Sequence, residues 1–253
     1  NQPMKPVKPR LAVFGDSHYA CVKRAVDQGM VDASAVDLEF WGHVGKRFHH
    51  LSFGDGAITP TDDYIAERFA KFSTRNRASL PISDFDWVFF MGCRIPAFGL
   101  MAALMQERRN GTRMTSGLTR RIMEDKLKSA PAFGFAVEAA RLRTARIMVA
   151  PTPFPTGAEP FYLGERFPEI RDTTTDERAE LQAVLAAIMA DAGLTLIWPS
   201  EDMFSDGLYC HPDYRVETHA ETGDVAHKNA HYGARIFSLV LEAVTAKSPE
   251  TAH

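Results

Sequence analysis

The sequence predicts a doubly wound α/β three-layer sandwich, with five parallel strands covered by helices on both faces. Three observations predict it. Five apolar runs stand out: LAVFG (11–15), VDLEFWG (36–42), DWVFFMG (86–92), ARIMVAP (145–151) and LTLIWP (194–199). Four of them are nearly continuous rather than alternating, as strands buried on both faces are. Segments with helical spacing separate the runs, and strands alternating with helices imply right-handed crossovers onto a parallel sheet. The length, 253 residues at 45% hydrophobic and 24% charged, suffices for one sizeable core.

The elements follow in order. The polar, Pro-rich start NQPMKPVKPR leads into the first strand, and residues 1–9 are expected to be flexible. A helix over Tyr19–Gln28 follows, then the second strand, which closes at Gly42, His43, Val44 and Gly45. A helix over Ile65–Phe72 precedes the third strand, which runs out into Gly92, Cys93 and Arg94. Residues 95–130 read as an insertion or lid, with Met101, Met105 and Met114 as core or lid filler. Helical spacing over 120–143 precedes the fourth strand, and a helix over Thr175–Ala192, stopped by Gly193, precedes the fifth. A last helix spans Asn229–Lys247, with Ile236, Leu239, Val240 and Ala243 on one face. No internal repeat interrupts this order, and one domain over 1–253 is expected.

Composition narrows the function. A net charge of -3 supplies no basic field for nucleic acid or an anionic membrane. No stretch approaches the ~18 apolar residues of a membrane span. The start holds no apolar signal-peptide core, and Cys21, Cys93 and Cys210 are too sparse for a disulfide framework. A cytoplasmic chain with free thiols is therefore expected. His211, His219 and His231, with Asp213 and Glu221 near them, are spaced too irregularly for a metal site. No metal and no cofactor is expected.

In a doubly wound sheet, ligands sit beyond the carboxyl ends of the strands. The first strand ends in Gly15, Asp16, Ser17 and His18, and Asp224 and His227 stand three apart before the final helix. Taken alone, Ser17 is a turn or helix-capping residue. Paired with Asp224 and His227, it reads as a nucleophile. A serine hydroxyl needs a neutral imidazole to take its proton, and a carboxylate fixes that imidazole's tautomer. The oxyanion that forms needs donors already aimed at it. The Ser17 N–H and the backbone at Gly45 are the candidates. Asp16 reads as a capping carboxylate and, with His18, as a neighbour of the substrate.

Gly-Asp-Ser at 15–17, the glycine turn after the second strand, Gly-x-polar after the third, and D-x-x-H at 224–227 followed by Asn229, Tyr232 and Gly233 together resemble the SGNH (GDSL-type) hydrolases. The resemblance covers essentially the whole chain by strand order. It implies a flavodoxin-like sheet and ester hydrolysis through an acyl-enzyme. It also implies Ser17 as nucleophile, His227 as base, Asp224 as its orienting acid and Gly45 as an oxyanion donor. One block departs from the pattern. Where the family has Gly-x-Asn-Asp, with the Asn as donor, this chain has Gly92, Cys93, Arg94 and Ile95. Losing such a donor costs on the order of 3 kcal/mol of transition-state stabilisation. Arg94 either donates to the oxyanion in its place, clamps an anionic group of the substrate, marks a weakly active member, or is a salt-bridged surface residue. Arg108, Arg109, Arg113, Arg120 and Arg121 form either a solvated face or further positive charge for an acidic ligand. The expected activity is removal of an O-acyl group, acetyl first among them, from a carbohydrate. Acyl transfer on the same fold and a non-catalytic glycan- or partner-binding module are the alternatives.

Overall fold

The structure is a computed structural model and describes residues 3–4, 7–42, 45–157 and 169–246. Strand β1 (Arg10–Gly15) is completely buried over Leu11–Phe14, because sheet neighbours flank it and helices cover both faces. It pairs in parallel with β2 (Asp37–Gly42) on one side and β6 (Trp87–Gly92) on the other, so that Val13 lies opposite Phe40 and Phe89. Beyond β6 come β7 (Arg146–Pro151) and β8 (Leu194–Leu196), both parallel. The sheet order is β2-β1-β6-β7-β8. Counting these five alone, the order is 2-1-3-4-5, the flavodoxin-like arrangement. The direction of winding reverses between β1 and β6. The crevice beyond their carboxyl ends is the switch point where such sheets take ligands.

The helices lie close to the predicted positions. They are α1 (Ala20–Asp27), α2 (Asp63–Phe72), α3 (Phe98–Arg109), α4 (Ser116–Lys128), α5 (Pro131–Arg141), α6 (Glu169–Asp172), α7 (Thr175–Asp191), α8 (His219–Thr222) and α9 (Ala230–Ala246). The helical stretch expected over 120–143 is two helices, because Pro131 takes the first turn of α5, where its missing N–H costs nothing. Met101 and Met105 are fully buried on α3. A small antiparallel sheet that sequence patterning did not reveal consists of β3 (Leu51–Gly54), β4 (Ala57–Pro60) and β5 (Leu80–Pro81). A two-residue ladder pairs β9 (Phe204–Ser205) with β10 (Tyr209–Cys210).

One packing detail joins the two ends of the chain. A Cβ on Gly233 would sit 2.0 Å from the Cys21 carbonyl oxygen, so α9 crosses α1 at a distance only glycine permits. The residues just before α9 are thereby held beside those just after β1. All three cysteines are free and buried. Among the described residues, no helix is long and apolar enough to cross a membrane.

Candidate active site

At the end of β1 the chain turns through Asp16 into a single-turn helix, Ser17–Tyr19. Asp16 is 4% exposed and accepts the His18 N–H at 3.2 Å, so it caps this turn rather than facing solvent. Ser17 is thus fixed on a capped turn directly above the sheet.

From the far end of the sequence, residues 224–227 fold back over Ser17. Ser17 Oγ lies 2.9 Å from His227 Nε2, and Asp224 Oδ2 lies 2.8 Å from His227 Nδ1. The other Asp224 oxygen accepts the N–H groups of Ala226 (2.9 Å) and His227 (3.1 Å). The loop therefore wraps its own carboxylate. Partial burial pushes the Asp224 carboxyl up, but the His227 N–H, the His227 ring and the Ala226 N–H outweigh it and hold it below the usual range. An ionised Asp224 favours the tautomer with the proton on Nδ1 and leaves Nε2 free to accept from Ser17. Asn229 closes the segment by accepting the Tyr232 N–H at 3.1 Å, which caps α9.

His18 stacks on His227, with ring centroids 4.9 Å apart and planes 21° from parallel. Burial is the main reason its imidazole falls to about 4, with His227 and Lys228 pushing the same way and Asp16 opposing. His18 is therefore neutral at pH 7, and its buried Nδ1 has no hydrogen-bond partner among the described residues. Behind it stands Gly92. A Cβ there would come within 2.8 Å of Asp16 Oδ1 and 3.0 Å of His18 Cβ.

The turn after β6 is unusual. Gly92, Cys93 and Arg94 all have positive φ (77°, 55° and 56°), and the Ile95 N–H closes the turn on the Gly92 carbonyl at 3.0 Å. Positive φ at both central residues is the type I′ pattern, which favours Asn and Gly. Here Cys93 and Arg94 occupy it. Cys93 is buried, and burial pushes its thiol well up, so it is not a nucleophile. Arg94 is exposed and has no hydrogen-bond or ion-pair partner among the described residues.

Gly45 opens the short 3-10 helix Gly45–His50 after β2. Its surroundings, like His43 and Val44 in full, lie outside the described residues. A cavity of about 200 Å³ adjoins the Ser17–His227 pair. Cys21, Arg24 and Lys228 line it together with the pair. Lys228 is the residue that sequence reasoning missed here. A lysine in a polar loop reads as exposed, yet this one is 2% exposed. Of the arginines read as one run, Arg108 pairs with Glu180, Arg109 with Glu177, Arg120 with Glu124 and Asp191, and Arg121 with Asp125. The charge of these four is balanced on the helices, whereas Arg113, between α3 and α4, is exposed and has no ion-pair partner among the described residues. Among the described residues, no three His, Cys, Asp or Glu side chains are grouped to hold a metal ion.

The sheet order is that of a flavodoxin-like α/β protein, and it brings Gly-Asp-Ser and Asp-x-x-His together over the switch point. Solved structures that the chain is similar to include an extracellular lipase from Streptomyces rimosus. That likeness has 13% identity, covers 93% of this chain and 99% of that one, and has a TM-score of 0.46. A protein assigned as a GDSL-like lipase from Parabacteroides merdae is similar at 10% identity, 97% and 100% coverage and a TM-score of 0.41. A DUF4886 family protein from Bacteroides uniformis is similar at 10% identity, 97% and 89% coverage and a TM-score of 0.40. No family model matches the chain, and no curated protein does.

Proposed function

We propose that the protein is a serine esterase that removes a short O-acyl group, acetyl first, from a carbohydrate. The observation that carries this reading is the continuous hydrogen-bond chain from Ser17 Oγ through His227 to Asp224, at 2.9 and 2.8 Å. In this reading His227 Nε2 takes the Ser17 proton as Oγ attacks the ester carbonyl. Asp224 stabilises the imidazolium, which then protonates the leaving alkoxide. Water, giving its proton to the same imidazole, attacks the acyl-serine; the imidazolium returns that proton to Ser17 Oγ as it leaves, and the acid is released. The N–H groups of Ser17 and Gly45 are the proposed oxyanion donors. Asp16 holds the turn. The cavity of about 200 Å³ supports a short acyl group, because clefts for larger ligands start near ~300 Å³. The carbohydrate rests on the family resemblance alone.

Arg94 takes the place of the family's Asn donor, and we assign it to an anionic group on the substrate. Support comes from its exposure and its lack of a partner among the described residues. An arginine suits a carboxylate, sulfate or phosphate through its fork of N–H groups.

The test is hydrolysis of an aryl acetate. Ser17→Ala and His227→Ala are each expected to lose at least about a thousandfold in kcat, because such residues act as a unit. Asp224→Ala is expected to lose less. Ser17→Ala with parental turnover would remove Ser17 as nucleophile. A parent inert on every ester, yet able to bind acetylated glycans, would favour a binding module.

A further inference from the structure

We infer that Lys228 is a positioning residue for the general base: its buried ammonium holds the carbonyl side of the Asp224–His227 loop and so keeps the His227 ring against Ser17. The inference rests on the esterase reading for its kinetic consequence, but not for its structural one.

The loop has two sets of backbone groups to satisfy. Asp224 takes the N–H groups of Ala226 and His227. Lys228 Nζ takes the carbonyls, donating to Ala226 O at 2.8 Å and to Val225 O at 3.1 Å. Val225 O also accepts the Thr156 N–H at 2.9 Å, which ties the loop to the end of the β7 connection. The Lys228 carbonyl in turn accepts Arg24 Nη2 at 2.9 Å. The loop is thereby docked on α1, the helix that begins three residues after Ser17. The general base and the nucleophile thus share one brace.

The surroundings make the charge conspicuous. α1 presents Cys21 and Arg24, β10 presents Cys210, α9 presents Tyr232, and the loop and the Ser17 turn present Asp224, His227 and His18. Burial raises Cys21 to about 12 and Cys210 to about 11, and pushes Tyr232 well up, so all three stay neutral near pH 8. Asp224 is the one carboxylate among them. Burial draws Lys228 down to about 8, with Cys210, Cys21 and Asp224 opposing. Burying an ammonium costs more than burying an apolar chain of the same shape. The position of Lys228 over two loop carbonyls is the local return for that cost. Charge-assisted donors are about twice as strong as neutral ones, so losing the proton slackens the brace.

Three proteins decide this: the parent, Lys228→Met and Lys228→Gln. Glutamine keeps two N–H donors and cannot titrate. With an aryl acetate, the parent is expected to lose activity as pH rises through about 8. Lys228→Met is expected to lose at least tenfold in kcat at pH 7 with KM within about twofold, since Lys228 Nζ is turned to the Val225 and Ala226 carbonyls and methionine keeps an unbranched chain along the cavity wall. Lys228→Gln, a neutral donor, is expected to recover part of that rate, to about the level the parent keeps above pH 8, and to show no alkaline limb near pH 8. Parental kcat in Lys228→Met, or an unchanged limb in Lys228→Gln, would overturn the inference. Amide hydrogen exchange over residues 224–228 is the readout that needs no substrate. The segment should open at least tenfold more in Lys228→Met, while α9 keeps its protection. Equal protection in both proteins would also overturn it. If Lys228→Met does not fold, Lys228→Gln alone decides by its pH profile and its exchange. A parent without Ser17-dependent turnover removes the esterase reading and leaves the exchange experiment standing.

Discussion

The carboxyl rim of the sheet and the helical layer of α3, α4, α5 and α7 carry charge in opposite ways. In the helical layer, arginines sit on regular helices facing carboxylates. Arg109 makes two bonds to Glu177, at 2.7 and 2.8 Å, and Arg108 makes two to Glu180, at 3.0 and 3.3 Å. A cleft of about 760 Å³ lies there too, lined by Arg120, Phe133, Val137 and Ile188 among others, with no nucleophile beside a base. At the rim the cavity is smaller and the groups are less complete. Among the described residues His18 Nδ1 has no partner, Arg94 stands on a left-handed backbone, and Lys228 is buried as a cation. The difference teaches that cleft volume and charge density here follow helix packing. Unpartnered buried atoms (Thr119 Oγ1, Arg178 Nε) and a left-handed residue (Arg143) occur among the described residues of the helical layer too. The rim differs in setting two successive left-handed residues, Cys93 and Arg94, next to a serine hydroxyl bonded to an imidazole, and strain of about 1–3 kcal/mol per residue persists only where the surroundings impose it.

The sharpest way to break this comparison is Gly92→Ala. The new Cβ would meet Asp16 Oδ1 at 2.8 Å on a backbone of φ 77°. Either that turn or the Ser17 turn has to shift. A displacement of about 1 Å at a reacting centre costs roughly a hundredfold in rate. Fold stability should fall by about 1–3 kcal/mol. Rate on an aryl acetate and the denaturant midpoint check both. Parental turnover would show that the crevice between β1 and β6 is not where the reaction occurs.

Arg94→Asn sharpens the contrast at the same turn. Asparagine tolerates positive φ, so the strain is relieved while the guanidinium is lost. If Arg94 clamps an anionic group, KM for an anionic acyl ester should rise about tenfold, or ~1.4 kcal/mol, with a neutral ester unaffected. Equal kcat losses on both esters would make Arg94 an oxyanion donor instead. No change on either would make it structural.

The rim should also be the acid-sensitive region. The imidazole of His18 is lowered by burial from 6.5 to about 4. Between those values the unfolded chain binds more protons than the folded one. His18 therefore contributes stability that is fully present above pH ~6.5 and lost as pH falls toward ~4. For a half-buried ring this amounts to about 1 kcal/mol between pH 7 and 5. Denaturant midpoints at the two pH values should differ less in His18→Phe than in the parent. Equal differences would place the acid sensitivity elsewhere.

The strands were readable because burial on both faces leaves runs with no polar alternation, as at Leu11–Phe14 and Val88–Met91. The fifth run overshoots. The ladder ends at Leu196, and Pro199, with no N–H, leads into the single turn Glu201–Met203. The β3–β4–β5 sheet was not readable, because strands of four and two residues containing Gly54, Pro60 and Pro81 show no period. At the rim, the motifs at 15–17 and 224–227 were readable as a pair, and the structure brings them within hydrogen-bond distance. The His18 stack and the Lys228 brace were not. Both depend on how a loop from residue 224 onward lies over a turn at residue 17, and nothing in local spacing encodes that.

The smallest effect belongs to the helical layer. Arg109 holds the Glu177 carboxyl at about 2, ahead of the Thr174 N–H that also binds it. Glu177 also completes the cap of α7 with Thr174, at 3.1 Å in each direction, so removing Arg109 leaves that cap in place. Arg109→Ala should therefore cost no more than the ~0.2–1 kcal/mol of an exposed ion pair. The loss should shrink further at 1 M salt, where the Debye length is about 3 Å. It should also shrink with acid. A carboxyl lowered from 4.5 to about 2 contributes its stability above pH ~4.5 and loses it as pH falls through ~2. Denaturant midpoints for parent and variant should therefore converge on acidification. Hydrolysis of both neutral and anionic esters should be unchanged. If Arg109→Ala instead raised KM for the anionic ester as Arg94→Asn is expected to, the helical layer would be part of the substrate's path, and the division between paired scaffold and incomplete rim would fall.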